Sequence, residues 1–337
     1  MAETRKVQVT GGSTFTVSIP KEWATENEVE AGSRVEFHPE GDSLILTPVS
    51  DEERTEGSLD VAGLEGEELR RAVMTMYVSG FDVIALESDR ITTDQRRTIR
   101  QATQSLVGLE VLEETGDRVV VRDLLDSSEL SIHNAVDRMR LIASSMLEDA
   151  VEALAEDDAD LARDVIQRDD DVDRLYMVVS RIFRATLRSP TAAEELGLPR
   201  EVCFDYHSSA RQLERVADHA TKIAHLSLEV DGMPPEEVTE SLRELQAEAA
   251  AVIEDAMAAL VAEENDEAIR LANGARERVQ EIDGSAREID ELLRDLDPAR
   301  AQLLGLIVDS LSRSADYGGN VARSEERRVG KECFLLC

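Results

Sequence analysis

Aromatic residues make up 3% of the 337-residue chain. Any core must therefore be built from Leu, Val, Ile, Ala and Met, which favours helix-on-helix packing. Lysine is almost missing: Lys6, Lys21, Lys222 and Lys331 are the only four. The cysteines are Cys203, Cys333 and Cys337, with no CxxC and no spaced framework, so neither disulfides nor a cysteine zinc site is implied. No run of 18 apolar residues exists and no signal-like segment opens the chain, so the expectation is a cytoplasmic protein without membrane insertion.

Acid is abundant. Asp and Glu number 72 against 37 Lys and Arg, for a net charge of −35, and they are spread along the whole length. Dispersed acid with Arg in place of Lys is the composition of a halophilic protein, kept soluble where salt screens charge. An acidic chain from an ordinary cytoplasm is the alternative. In molar salt the global charge does not exclude a nucleic-acid partner, because phosphate attraction is weakened there anyway.

From the N-terminus, KVQVT and TFTVSI flank Gly11-Gly12-Ser13 as a hairpin, PKEWA starts a short helix, and RVEFH and SLILT follow as two strands. The order TGGSTFTVSIPKEWA…EAGSRVEF…GDSLILTP resembles the AbrB/SpoVT family of swapped-hairpin DNA-binding domains. That resemblance implies a swapped-hairpin β-barrel over residues 1–50, formed by a homodimer, since so few residues cannot bury a core alone. It also implies DNA contacts from basic residues on and near the first hairpin: Arg5, Lys6 and Lys21, with Arg34 further on. Two of the four lysines lie here. From Glu26 to Asp42 the piece is acidic, so a pure dimerisation module stays open.

Residues 51–127 read as strand, helix, strand, helix and hairpin, a small α/β sandwich acting as a connector. No Gly-rich phosphate loop and no nucleophile arrangement occurs in it. ITTDQRR is a helix start, and a plain cap is expected there rather than an anion site.

A long helix is expected from Ser127, Ser128 and Glu129 onward. MLEDAVEAL at Met146–Leu154 returns as VIEDAMAAL at Val252–Leu260. RQLERVADHATKIA at Arg211–Ala224 returns, weakened, as SRSADYGGNVA at Ser312–Ala322. The offsets are similar, so the second half is two tandem three-helix bundles, 128–233 and 234–322, with Pro234-Pro235 at the junction. The whole is a multidomain α+β chain.

Glu214 and Asp218 stand one helical turn apart, so both carboxylates project from one face. Such a pair can share a cation through hard oxygen ligands. The same spacing also suits ordinary surface ion pairs, Arg211–Glu214 and Asp218–Lys222. LERVADHATKIA, RDDDVDRLYMVVSRIFRATL and the paired three-helix layout resemble the PhoU family of phosphate-uptake regulators, in the branch with an AbrB-like N-terminus. The resemblance implies a divalent or ferric, iron- or zinc-like metal cluster on a carboxylate face: Glu214 and Asp218, Asp169 and Asp173 on a neighbouring helix, and Asp316 in the second copy. Ser312 stands where the second copy needs its acidic partner, with Asp309 as a substitute. It further implies a non-enzymatic phosphate-responsive regulator acting with a phosphate ABC transporter and, through the N-terminal domain, with promoters of phosphate-related genes. An adaptor that damps the transporter without touching DNA is the alternative.

Arg323–Cys333 (RSEERRVGKEC) breaks every trend and resembles a sequencing adapter read into the end of a gene fragment. Residues 323–337 are therefore expected to be a non-native tail, with the native C-terminus missing, and no function is read from them.

Overall fold

The computed structural model describes residues 4–40, 42–49, 55–124 and 131–335, with side chains left out at 40 and from 324 onward. The expected helix start at Ser127–Glu129 lies outside these residues, as does most of the charged linker after Asp51. The chain divides into two units, Met1–Thr55 and Glu56–Cys337.

In the first unit, β1 (Gln8–Thr10) and β2 (Thr14–Thr16) pair antiparallel across Gly11 and Gly12. Both glycines take positive φ, 66° and 83°, which a side chain would resist. Pro20 presets the start of α1 (Lys21–Glu26). β3 (Val35–Glu40) and β4 (Ser43–Pro48) form a second antiparallel pair. Within one chain these are two separate two-stranded sheets. His38 is the one fully buried side chain among the described residues of this unit, its Nε2 2.9 Å from Thr47 Oγ1. Val7, Val9, Phe15 and Val17 stay exposed, Phe15 by 75%.

The second unit begins with a four-stranded sheet. Its strands β5 (Glu56–Asp60), β6 (Val83–Glu87), β7 (Leu109–Glu114) and β8 (Arg118–Asp123) lie in the order β5-β6-β8-β7. Only β5 and β6 run parallel, joined by α2 (Gly66–Val78), and α3 (Thr93–Ser105) follows β6. Leu69, Val73 and Tyr77 of α2 and Ile99 and Ala102 of α3 pack with Ile84, Leu86, Val119 and Val121 of the sheet. Thr92 caps α3 in a reciprocal capping box with Gln95. Gln95 Nε2 also donates to the carbonyls of Val61 and Leu64, at 2.9 and 3.0 Å. ITTDQ is thus a structural cap that pins the loop after β5.

The rest is helical: α4 (Ile132–Glu156), α5 (Ala159–Arg188), the short α6 (Pro190–Leu196), α7 (Arg200–Ser227), α8 (Glu236–Val261), α9 (Asn265–Leu293) and α10 (Pro298–Leu335). Ser131 Oγ caps α4. The two repeats are as the sequence indicates, and their apolar faces join in one continuous core. Met146, Leu147, Ala150 and Leu154 of α4 belong to the same continuous core as Val252, Ile253, Ala256 and Leu260 of α8. α4 packs on α8, and α7 on α10. The reason is apolar width: each three-helix unit carries more Ala, Val and Leu surface than its own helices cover, so the units bury it against each other.

The sheet domain docks on α5. The Arg181 guanidinium of α5 donates to the carbonyls of Tyr77 and Phe81, and its Nε donates to Asp123 Oδ2 at 2.8 Å. Gly80, at φ 82°, lets the α2–β6 turn approach the Ala185 backbone, where an added Cβ would stand 3.4 Å from the amide nitrogen.

Candidate functional site

α7 presents Glu214 and Asp218 because Leu213, Val216, Ala217 and Ala220 are drawn into the core, leaving the acidic row outward. α5 does the same with Asp169 and Asp173, since Val165, Val172 and Val179 face inward. The two helices pack together, and the four carboxylates share one neighbourhood. Burial first, and then the charges of Asp173 and Asp218, push the Asp169 carboxyl up to about 6. Thr221 faces Asp169 and opposes the rise, although its buried hydroxyl makes no hydrogen bond of full geometry. Asp173 is raised by burial and then by Asp218 and Asp170. Glu214 is raised by burial and Asp218, with Arg211 opposing. Asp218 is raised by burial, with Arg215 and Arg211 opposing.

Mutual repulsion across a packed helix pair is the condition in which a bound cation or a proton is favoured. Neither surface ion pair that the spacing allows is formed. Arg211 turns away from Glu214 and donates to the Tyr176 hydroxyl at 3.0 Å, with its guanidinium over that ring. Arg215 lies over the Tyr317 ring of α10 at 5.5 Å. At the same time, among the described residues no three His, Cys, Asp or Glu side chains are converged on a single metal position. The four acids supply suitable oxygen donors, and closing them on an ion requires side-chain rotation.

Asp316 does not join them. Its carboxylate is 3.9 Å from Arg313 on its own helix, and Arg313 also reaches Asp309 at 3.8 Å. Ser312, the replacement for the missing acid, bonds back to the Val308 carbonyl. The second copy's acids are thus tied by an arginine. The tyrosine that replaces His219 in that copy, Tyr317, instead packs beside His219 itself, ring centres 5.6 Å apart.

The expected DNA-contact residues Arg5, Lys6, Lys21 and Arg34 are all exposed in the first unit. Arg5 and Lys6 precede β1 and Lys21 opens α1, whereas Arg34 leads into the second sheet.

Residues 136–227, which span α4 to α7 and hold all four clustered acids, match the PhoU domain. The match lies within the helical half and covers its first repeat. Residues 8–54 match the MazE family of bacterial antitoxins, described as an antidote-toxin recognition domain, over the stretch that resembles AbrB/SpoVT. The phosphate-specific transport system accessory protein PhoU of Escherichia coli K12 is 26% identical over 210 residues, covering 61% of this chain and 79% of that protein. The PhoU homolog of Clostridium acetobutylicum is 24% identical over 213 residues, covering 61% of this chain and 94% of its own. The crystal structure of PhoU from Pseudomonas aeruginosa shares the fold, with a TM-score of 0.51, 21% identity and coverage of 59% of this chain and 95% of that one. Among the described residues no helix is long and apolar enough to cross a membrane.

Several functional-looking residues carried no usable sequence signal. Arg181, Asp123 and Asp82 are far apart in the chain and meet only through docking of the sheet domain. His207 lies stacked between Tyr176 and Phe183.

Proposed function

We propose that this chain is a phosphate-responsive, non-enzymatic regulator of phosphate uptake, with a DNA-binding N-terminal unit coupled to the PhoU-type helical half. The observation that carries the proposal is the pairing, in one chain, of a PhoU domain with a MazE/AbrB-like segment. That segment presents Arg5, Lys6 and Lys21 in an otherwise acidic protein. Its exposed Val7, Val9 and Phe15 are the apolar surface a second copy would cover, so the DNA-binding form is a homodimer through this unit. The helical half reports phosphate status and biases the arrangement of the paired N-terminal units.

The test is a salt-titrated mobility shift on promoters of phosphate-related genes, wild type against Lys6→Glu/Lys21→Glu. Binding that weakens with salt and is lost in the variant supports it. No shift on any such promoter at any salt removes it.

The acids Asp169, Asp173, Glu214 and Asp218 are proposed to hold an iron- or zinc-like cation, which would relieve their mutual repulsion. Metal analysis of untagged protein checks this. Equal metal content in wild type and Glu214→Ala/Asp218→Ala would end it.

A second function is favoured by Glu22, Glu26, Glu28, Glu30 and Glu36, which make the sequence after Lys21 acidic. Here the chain is an adaptor on a phosphate ABC transporter and never occupies a promoter. Regulated uptake persisting in Lys6→Glu/Lys21→Glu cells would select it.

A further inference from the structure

The chain has 4 Tyr and 6 Phe. Three of them, Tyr176, Phe183 and Phe204, form one ladder across α5 and α7, with the His207 ring between Tyr176 and Phe183. Among the described residues the lower end of the ladder is not covered. Phe204 is 53% exposed, and Leu187, one turn after Phe183 on α5, is 57% exposed. Arginines flank it. Arg184 and Arg211 both act on the His207 ring, which is held below its ordinary range first by burial and then by these two cations. Arg211 is fixed by Tyr176. Arg184 is exposed and closes no ion pair with any described residue.

At a net charge of −35, many cations of the chain meet acids, as Arg163 meets Asp160 and Arg243 meets Glu152, whereas Arg184 meets none among the described residues. Here an arginine without an acid stands beside exposed apolar side chains on rigid helices. Exposed apolar surface framed by arginine and tyrosine is the composition of protein-binding hot spots.

We infer that the Arg184–Leu187–Phe204 face of α5 and α7 is a docking surface for an acidic segment of a partner protein, one bearing an apolar side chain to cover Phe204 and a carboxylate to meet Arg184. The inference deepens the regulatory reading by naming the surface through which the helical half would act, and it does not depend on DNA binding.

The test places the photo-crosslinking amino acid p-benzoyl-phenylalanine at position 204 of the full chain, with position 269 on α9 as the control, in the cell that makes the protein. Adducts are sequenced. The expected result is a position-204 adduct to an Asp- and Glu-rich segment of another protein, reduced about tenfold or more by Arg184→Glu. Arg184 is exposed and without an ion pair, so the variant should fold; an unchanged circular dichroism spectrum verifies that. The adduct persists in Lys6→Glu/Lys21→Glu, so loss of promoter binding and loss of docking are separable. No adduct above the control overturns the inference, as does an adduct to a second copy of this chain, to a nucleic acid, or to a neutral or basic segment. Indifference to Arg184→Glu overturns it equally.

Discussion

Arg181 and Asp123 close an ion pair of 2.7 Å in which each side chain is only 8% exposed. Arg181 belongs to α5 and Asp123 ends β8, so one buried guanidinium ties the sheet domain to the helical half. It adds two backbone carbonyls, a second carboxylate on Asp82 at 3.3 Å and the Tyr77 ring at 5.0 Å.

Removing one member of so enclosed a pair leaves the other charged and unpartnered. Arg181→Leu is expected to cost about 3–5 kcal/mol. Arg181→Lys should recover little of it, because an ammonium cannot reproduce the planar fork. Urea unfolding followed by circular dichroism measures the loss. Hydrogen exchange should localise it to the α2–β6 turn and the end of β8, with the α8–α10 core unchanged.

The acidic cluster makes stability depend on pH in a direction opposite to an ordinary ion pair. Asp169 holds its proton up to about 6 in the folded chain, above its ordinary value of 3.8. The folded state therefore binds the proton more tightly than the unfolded one. Its penalty is fully present above pH 6 and fades as the pH falls toward the unfolded value. The rise converts to a few kcal/mol at about 1.4 per unit, and solvent screening at a half-exposed carboxyl trims it to about 1 kcal/mol. Asp169→Asn should be more stable than wild type by that amount at pH 7.5, with the gap closing by about pH 4. Paired denaturant titrations at fixed ionic strength give the difference. A constant gap across that range would refute the assignment.

Gly318 is required by packing. A Cβ there would lie 2.9 Å from Val252 Cγ1 and 3.1 Å from the Ile253 amide nitrogen of α8. Gly318→Ala should push α10 off α8 and cost about 1–3 kcal/mol. Gly305, on the same helix but with open space around it, is the control. Gly305→Ala should be neutral or slightly stabilising by helix propensity. Thermal midpoints of the two variants should move in opposite directions or only one should fall.

Gln95 serves two ends at once, closing the capping box with Thr92 and holding the carbonyls of Val61 and Leu64. Thr92→Ala should cost about 1 kcal/mol, the usual value of a lost cap. Gln95→Ala should cost more, about 2 kcal/mol, because the Leu64 carbonyl loses its side-chain donor and the Val61 carbonyl keeps only the Leu64 N–H. Denaturant midpoints of the two variants rank them, and the reverse order would show that the cap, not the carbonyl bridge, dominates.

Most element positions were legible in the sequence, because the signals are local. Gly11-Gly12 marked the first hairpin, Pro20 the start of α1, Thr92 the cap of α3, and the MLEDAVEAL/VIEDAMAAL echo the helical repeat. Periodicity also placed Glu214 and Asp218 on one outward face of α7. Nothing local could show that Asp169 and Asp173 come alongside them, that Arg211 would choose Tyr176 over Glu214, or that Asp316 would be claimed by Arg313. Those outcomes depend on which helices pack together and on how arginines divide among competing partners.

The sequence by itself determined the helices, the strands, the duplication and the acidic character, since these follow from periodicity, turn chemistry and composition. Tertiary structure alone decided that the two repeats share one core, that α5 carries both the acidic pair and the Arg181 anchor into the sheet domain, and that an arginine-flanked aromatic face stays uncovered among the described residues. The physical reason is distance along the chain. Burial and charge pairing act between residues brought together by packing, and their energies are set by neighbours that no local window contains.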